Sequence, residues 1–236
     1  MTRFKGILFD YGHTLVWFPR YKEIHLASAR NIQRKLQALG VSVEASEIQT
    51  LVDEFAHHQG LGIDEEFREI LSILAVKRYS ENDLHEIIKL HWRPYLQDAC
   101  TRKGAKKLLE YLKSHGCKLG VVANVWSGGM SPALQKLGLQ KFFDTTVASV
   151  DVGFRKPSPE IFQLALNNLE LDVERAMMVG DNPLSDIQGA HDIGLCTVRL
   201  MRGPNRTKPD IVKPDFKIKN LSTLAAIVRT YSDSLV

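Results

Sequence analysis

The alternation of short apolar segments with helical segments after Cys100 is the feature that most restricts the fold of this chain. Strand-like segments are predicted over residues 118–123, 145–148, 176–179 and 196–200, and helices over 104–115, 131–137, 159–169 and 185–193. Strands that alternate with helices in this way form a parallel sheet that helices cover on both faces. Residues 4–9 add one more strand. The sequence therefore predicts an α/β fold built on a doubly wound parallel sheet.

A long helical region separates the first strand from the alternating part. From Tyr21 to Asp98 apolar residues recur at helical spacing, and no strand pattern interrupts them. Helices are predicted over residues 21–39, 44–58, 65–76 and 81–92, the last with a capping box formed by Ser80 and Asp83. We therefore expect two units, a core of residues 1–16 and 100–236 and an all-helical insertion of residues 17–99.

Polar residues stand where the predicted strands end. Asp10 follows the first strand, Asn124 follows the strand that ends at Ala123, and Asp181 follows the strand that ends at Gly180. Because parallel strands present their carboxyl ends at one edge of the sheet, we expect these side chains to lie together. An aspartate at such a position can attack phosphorus if a cation offsets the repulsion between the two anions.

In this order and spacing, four motifs resemble those of the haloacid dehalogenase superfamily, whose members are mostly phosphatases. The motifs are Asp10 to Thr14, Ala123 with Asn124, Lys156 before Pro157, and Asp181 with Asp186. The resemblance covers nearly the whole chain. It implies a Rossmann-like sheet with the helical insertion as a cap over the site.

The resemblance also implies roles for these residues. Asp10 would be the nucleophile that takes up the phosphoryl group, and Lys156 would neutralise charge on both. The phosphate would lie near Ala123, Asn124 and Lys156. A Mg²⁺ ion would be held by Asp10, the backbone carbonyl of Gly12, Asp181 and Asp186, which suits a cation that prefers oxygen ligands. If no metal is bound, Asp181 and Asp186 are interpreted instead as acidic residues at the start of a helix, where such residues are favoured in any case.

Two positions depart from the family pattern. Gly12 stands where a second aspartate usually serves as general acid and base, and Ala123 stands where a serine or threonine usually binds the phosphate. Ser127 is a candidate to replace that hydroxyl, although Ser127-Gly128-Gly129 has the composition of a flexible loop. His13 is a candidate acid or base near neutral pH. Alternatively, His13 packs under the helical insertion.

Three functions follow from these features. The first is a magnesium-dependent phosphatase acting on a small phosphorylated metabolite. The second is a 2-haloacid dehalogenase-type hydrolase, which the absent carboxylate at Gly12 favours and the acidic pair opposes. The third is a binding or regulatory protein that keeps the fold but turns over poorly. The residues of the insertion to search for substrate contacts are Trp17, Arg20, His57, His58, Trp92 and Arg93, whereas Arg155 is expected to be solvated.

Composition narrows the remaining classes. The 236 residues are 44% hydrophobic and 25% charged, as in ordinary globular proteins. No apolar run approaches the roughly 20 residues of a membrane span, so we expect no membrane partner. The three cysteines show no metal-like spacing, and we expect a cytoplasmic protein. The basic segment from Arg199 to Lys219 lacks interleaved aromatic residues, so we interpret it as a solvated loop rather than a nucleic-acid surface. The oligomeric state cannot be read from these patterns.

Overall fold

A computed structural model describes residues 4–55, 63–125 and 127–233 of the chain. The strands are β1 (Gly6–Phe9), β2 (Val16–Trp17), β3 (Cys100–Thr101), β4 (Lys118–Ala123), β5 (Thr145–Ala148), β6 (Ala176–Gly180), β7 (Cys196–Leu200) and β8 (Phe216–Ile218). The helices are α1 (Tyr21–Ala38), α2 (Ala45–Phe55), α3 (Ile63–Ile73), α4 (Glu81–Asp98), α5 (Ala105–Ser114), α6 (Ser127–Lys136), α7 (Ser149–Val152), α8 (Pro159–Leu169), α9 (Gly189–Asp192) and α10 (Ser222–Asp233).

Six strands form one parallel sheet in the order β5-β4-β1-β6-β7-β8. Every residue of β1 and β6 is buried, as expected of strands that are covered on both faces. Apolar residues of α5, α6 and α10 pack on one face, and those of α8 and α9 pack on the other. The predicted doubly wound parallel sheet is therefore confirmed.

Helices α1 to α4 form the insertion between β2 and β3, and they share an apolar cluster of their own. The short strands β2 and β3, which the sequence did not predict, pair antiparallel and place Trp17 opposite Cys100. The backbone amide and Nε of Arg20 donate hydrogen bonds of 3.1 and 2.7 Å to the Asp98 carboxylate. The entry and the exit of the insertion are thus fastened side by side.

Helix α4 extends beyond its predicted end at Trp92 and continues through Pro94 to Asp98. A proline inside a helix lacks an N–H, so the carbonyl of the residue four positions earlier loses its partner. Here Asn31 Nδ2 of α1 donates to the Leu90 carbonyl at 3.3 Å. The tertiary contact compensates the proline, which a sequence pattern cannot show.

Helix α6 begins at Ser127, so the prediction of a flexible loop over Ser127-Gly128-Gly129 is wrong. A Cβ atom at Gly129 would lie 2.9 Å from the Trp92 ring. The glycine therefore allows the indole of α4 to pack closely on α6. Its role is close approach rather than flexibility.

The basic segment near the end of the chain is also more ordered than predicted. Arg199 is only 1% exposed, and its guanidinium pairs with Asp210 and donates to the carbonyls of Asn205 and Lys208. Treating the whole segment as a solvated loop was thus wrong for Arg199, which holds residues 205–210 against the sheet. Within the described ranges, no helix is both long and apolar enough to cross a membrane.

Candidate active site

Three carboxylates and one ammonium group form what we call the acidic floor: Asp10, Asp181, Asp186 and Lys156. Asp10 follows β1 and Asp181 follows the adjacent strand β6, so strand pairing brings them together. One carboxylate oxygen from each aspartate lies within 4.8 Å of the other two. Lys156 Nζ donates to Asp10 Oδ1 at 2.7 Å and to Asp186 Oδ1 at 2.6 Å. The structure thus brings together four residues that are up to 176 positions apart in sequence.

Asp186 reaches the acidic floor because Gly180 leaves room for it. A Cβ atom at position 180 would lie 2.3 Å from Asp186 Oδ2, which no side chain could tolerate. The backbone amide of Asn182 donates to the same oxygen at 3.0 Å. The last residue of β6 and the turn that follows it therefore fix the carboxylate against the strand end.

Asn124 holds the backbone of Lys156. Its Nδ2 donates to the Lys156 carbonyl and its Oδ1 accepts from the Lys156 amide, both at 2.8 Å. The two hydrogen bonds join the end of β4 to the turn before α8. The side chain of Asn124 is thus committed to the lysine turn, while Asn124 and the buried Ala123 still line the cavity above the acidic floor.

Burial and mutual repulsion disturb the ionisation of the acidic floor. Burial raises the pKa of Asp181 to about 8, and the neighbouring Asp10 and Asp186 add to the effect. Burial likewise raises the pKa of Asp10 to about 6, although Lys156 opposes the change. Burial disfavours the charge of Lys156, but Asp10 and Asp186 outweigh it and the lysine pKa is raised.

This charge arrangement fits a divalent cation. Three carboxylates face a single ammonium group, so the fully ionised floor carries excess negative charge in a buried place. Hard oxygen donors are the ligands that magnesium prefers. A bound cation would favour the ionised form of these acids and so oppose the rise in their pKa values.

At Gly12 the structure leaves space for a side chain. A Cβ atom there would meet only Phe18 Cε2, at 4.0 Å, and the backbone is not in the left-handed region. The absence of a carboxylate at this position is therefore not imposed by packing. Ser127, the candidate to replace the hydroxyl missing at Ala123, is the first residue of α6, and its side chain lies outside the described part of the protein.

A cavity of about 920 Å³ opens between the acidic floor and helices α1 to α4. Several of its lining residues have rings in edge-to-face or tilted contact, and we call a continuous series of five of them the ring wall: His13, Tyr21, His25, Tyr95 and Trp92. Four of the five come from α1 and α4. The cavity therefore has an ionic floor and a largely aromatic side.

His13 belongs to this wall. It has a left-handed backbone (φ 59°) and its ring lies edge-on to Tyr21 at 4.9 Å. Burial, followed by the positive charge of Arg102, lowers the pKa of His13 to about 4, so the ring is neutral near pH 7. The geometry agrees with the interpretation that His13 packs under the insertion.

The other sequence candidates have mixed outcomes. Trp92 lines the cavity, whereas Trp17, Arg20 and Arg93 are exposed and are not among its described lining residues. His57 and His58 lie outside the described residues.

Arg155 was predicted to be solvated, and this was wrong. Its side chain is only 18% exposed, and Nη1 lies 3.5 Å from Glu66 Oε1 of α3. The partner belongs to a helix 89 residues earlier in the chain, which no local pattern could indicate.

Asn205 is a site residue that the sequence analysis missed. Its Nδ2 donates to Asp181 Oδ2 at 3.1 Å, and it lines the cavity. The loop that carries Asn205 is held by the buried Arg199. A buried arginine in a segment taken as solvated gives no sequence signal, because its acceptors are mostly backbone carbonyls.

Comparison with known proteins agrees with this geometry. The sequence model of the family of haloacid dehalogenase-like hydrolases matches residues 30–200 of this chain. The chain is 30% identical to a glyceraldehyde 3-phosphate phosphatase of Methanopyrus kandleri over 95% of its length and 97% of the relative. The same-named protein of Methanocaldococcus jannaschii is 28% identical, again over 95% of this chain and 97% of the relative.

Solved structures show the same fold. A 2-haloacid dehalogenase from Pseudomonas syringae superposes with a TM-score of 0.72 at 23% identity, covering 97% of this chain and 99% of the other. At this identity the likeness concerns the fold alone. The family match over most of the chain goes further, and the protein belongs to the haloacid dehalogenase-like hydrolases.

Proposed function

We propose that this protein is a magnesium-dependent phosphatase that hydrolyses a small phosphorylated metabolite through a phosphoryl group carried on Asp10. The observation that carries the proposal is the bridge from Lys156 Nζ to Asp10 at 2.7 Å and Asp186 at 2.6 Å, at the bottom of a cavity. It holds the nucleophile oriented and supplies positive charge where a phosphoryl group would arrive. The phosphatase relatives support the same reaction class.

In the proposed reaction, an Asp10 carboxylate oxygen attacks phosphorus and the bond to the leaving oxygen breaks. The leaving oxygen keeps the electron pair and takes a proton from solvent. Water then attacks the phosphorus of the aspartyl phosphate and returns a proton to solvent, the bond to Asp10 breaks, and inorganic phosphate leaves. Lys156 stabilises the charge that builds up on the transferred group, and Asn124 keeps the lysine backbone in place.

Asp10, the Gly12 carbonyl, Asp181 and Asp186 would hold Mg²⁺, which when bound neutralises charge on the transferred phosphoryl group. We further propose that residues 17–99 act as the cap, with the β2–β3 pair and the contact between Arg20 and Asp98 as its attachment. The free thiols of Cys100, Cys117 and Cys196 support a cytoplasmic location.

A panel of phosphate monoesters tests this function. Purified protein is assayed for phosphate release with magnesium and with a chelator, and beside it the variants Asp10→Asn and Asp172→Asn. Asp172 is exposed in a turn away from the site and is the matched control. We expect release that needs magnesium, that persists in Asp172→Asn and that is abolished in Asp10→Asn.

Two results would contradict the proposal. Release at the native rate in Asp10→Asn would exclude the aspartyl phosphate. Magnesium binding without release from any ester would favour a binding or regulatory protein, which the absence of a carboxylate at Gly12 makes the main competitor.

A further inference from the structure

The ring wall begins beside the acidic floor. His13 stands three residues after Asp10. A Cβ atom built at Gly203 would lie 3.0 Å from His13 Cβ and 3.2 Å from Asp181 Oδ2, so the histidine and this carboxylate flank the same point. His13 is therefore the ring of the wall that lies beside Asp181 of the acidic floor.

From His13 the rings continue into the insertion without a gap. Centroids are 4.9 Å apart from His13 to Tyr21, 4.3 Å from Tyr21 to His25, 5.6 Å from His25 to Tyr95 and 5.4 Å from Tyr95 to Trp92. These are separations at which aromatic rings attract one another. A flat ring that extends away from the floor would find partners of the same kind along its path.

Among the described residues, three polar atoms of the ring wall are buried without a hydrogen-bond partner, namely Trp92 Nε1, His25 Nε2 and His13 Nδ1. The indole nitrogen is a donor only. His25 Nδ1 lies 3.2 Å from Asp53 Oδ1 and so carries the proton, which leaves Nε2 as an acceptor. Buried polar atoms without partners are uncommon, so the wall does not satisfy all of its own hydrogen-bonding groups.

The cap side of the cavity has little positive charge to spare for a second anionic group. Its acids are paired, Asp53 with His25 and Glu66 with Arg155. Among the described residues of the insertion, one basic side chain lines the cavity. It is that of Lys22, and this residue is exposed. A second phosphate would meet two carboxylates on this side, so the surroundings suit a neutral group.

The chemistry of the floor favours the same kind of leaving group. Gly12 supplies no carboxylate to protonate the leaving oxygen. A phenolic oxygen, with a pKa of about 10, departs with far less need of a proton than an alkyl alcohol does. A ring attached directly to the ester oxygen would therefore satisfy both the reaction and the wall.

We infer that the substrate is an aryl phosphate, a phosphate monoester whose oxygen is bonded directly to an uncharged aromatic ring that packs against the ring wall. This inference rests on the proposed function, because it specifies the ester that the phosphatase hydrolyses. It also assigns Tyr21, Tyr95 and Trp92 to recognition of the leaving group.

Binding of phosphonates tests the inference apart from leaving-group reactivity, because activated aryl esters react faster with any weak phosphatase. Benzylphosphonate keeps the shape of phenyl phosphate but has no bond to hydrolyse. Cyclohexylmethylphosphonate has the same carbon number without an aromatic face. In magnesium buffer, calorimetry should show benzylphosphonate binding at least about threefold more tightly than the cyclohexyl compound.

Tyr21 and Trp17 provide a matched pair of variants. Both are 37% exposed and both have rings close to His13, at 4.9 and 6.0 Å, but only Tyr21 is among the residues that line the cavity. Tyr21→Leu should lose most of the preference for benzylphosphonate. Trp17→Leu and the ring-retaining Tyr21→Phe should keep it, and thermal melts establish that all three variants are folded.

Each outcome decides between the two proposals. Equal binding of the two phosphonates by the native protein, or equal effects of Tyr21→Leu and Trp17→Leu, would overturn the aryl inference. If a small alkyl phosphate is then still hydrolysed with dependence on Asp10, the proposed phosphatase stands without it. Conversely, a benzylphosphonate preference that depends on Tyr21, without hydrolysis of any ester, would retain the ring site and refute the phosphatase.

Discussion

The acidic floor and the ring wall enclose one cavity but are built in different ways. The floor consists of charged side chains at strand ends and the turns beside them, joined by hydrogen bonds of 2.6–2.7 Å. The wall consists of neutral rings, most of them on α1 and α4. These rings make edge-to-face or tilted contacts, with centroids 4.3–5.6 Å apart. Of the acids beside the wall, Asp53 contacts the His25 ring and Glu66 pairs with Arg155.

This difference separates two tasks. The floor can handle a phosphoryl group whatever is attached to it, because its contacts are all electrostatic. The wall presents neutral rings to the cavity and therefore acts on the leaving group through shape and aromatic surface. Changes in the four residues of the acidic floor should alter the rate for every ester, whereas changes in the wall should alter the ranking of esters.

The largest effect is expected from supplying the carboxylate that is missing at Gly12, which would act on the leaving oxygen and so make up for a poor leaving group. Gly12→Asp should speed hydrolysis of an alkyl phosphate by about 10²-fold, because a positioned acid is worth at least that much and the site leaves room for a side chain. Aryl esters should gain much less. Gly12→Asn, which has the same size without the acid, is the control, and initial rates on matched alkyl and aryl esters are the measurement.

An equal gain for alkyl and aryl esters would show that leaving-group protonation does not limit the native protein. This result would contradict the inference that the missing carboxylate at Gly12 favours the same leaving groups as the ring wall.

The second test asks whether the floor holds a metal. Magnesium at 100 times its dissociation constant stabilises a native state by about 2.7 kcal/mol, which is about 5–10 °C in melting temperature for a chain of this size. We expect this shift in the native protein and in Asp172→Asn, and much less in Asp181→Asn. Equal shifts in all three proteins would place the metal elsewhere.

The same contrast explains what the sequence could predict. The parallel sheet and the members of the floor follow from apolar strands with polar residues at their ends, because strand pairing alone brings Asp10 beside Asp181. The insertion was predicted as helices for a similar reason, since helical periodicity is a local pattern. The capping box of Ser80 and Asp83 is present as predicted.

The wall could not be predicted, because it depends on how helix faces pack. Tyr21 and Tyr95 lie 74 positions apart and meet through His25 only in the folded protein. Asn205 was missed for the same reason, since the buried Arg199 positions its loop. Short-range patterns contain no information about such long-range contacts.

A smaller effect concerns the link between β4 and the floor. Asn124→Ala removes both hydrogen bonds to the Lys156 backbone and leaves a buried amide and carbonyl unpaired, a cost of about 1–3 kcal/mol. We expect kcat to fall about tenfold for alkyl and aryl esters alike, with KM little changed, because the lysine is displaced rather than lost. The control is Asn168→Ala, which breaks a side-chain hydrogen bond to Thr145 away from the cavity.

If Asn124→Ala lowers the melting temperature but leaves kcat unchanged, the asparagine has only a structural part. A change in the ranking of esters would also contradict its action through Lys156, since residues of the acidic floor should act on every ester equally.

The smallest expected effect tests the paired charges on the wall side. Burial raises the pKa of Glu66 from an ordinary 4.5 to about 7, although Arg155 opposes the shift. The folded protein therefore binds a proton that the unfolded chain releases, so Glu66 costs no stability below about pH 4.5, and its cost grows until the pH passes 7.

Glu66→Gln removes this cost and should gain stability relative to the native protein, by ~1 kcal/mol, between pH 5 and pH 8. Urea unfolding at both pH values measures the difference, and the exposed neighbour Glu65→Gln should show no such trend. If the relative stability of Glu66→Gln instead falls as the pH rises, the pair with Arg155 outweighs burial. The wall side would then hold an ion pair strong enough to fix the insertion against the sheet.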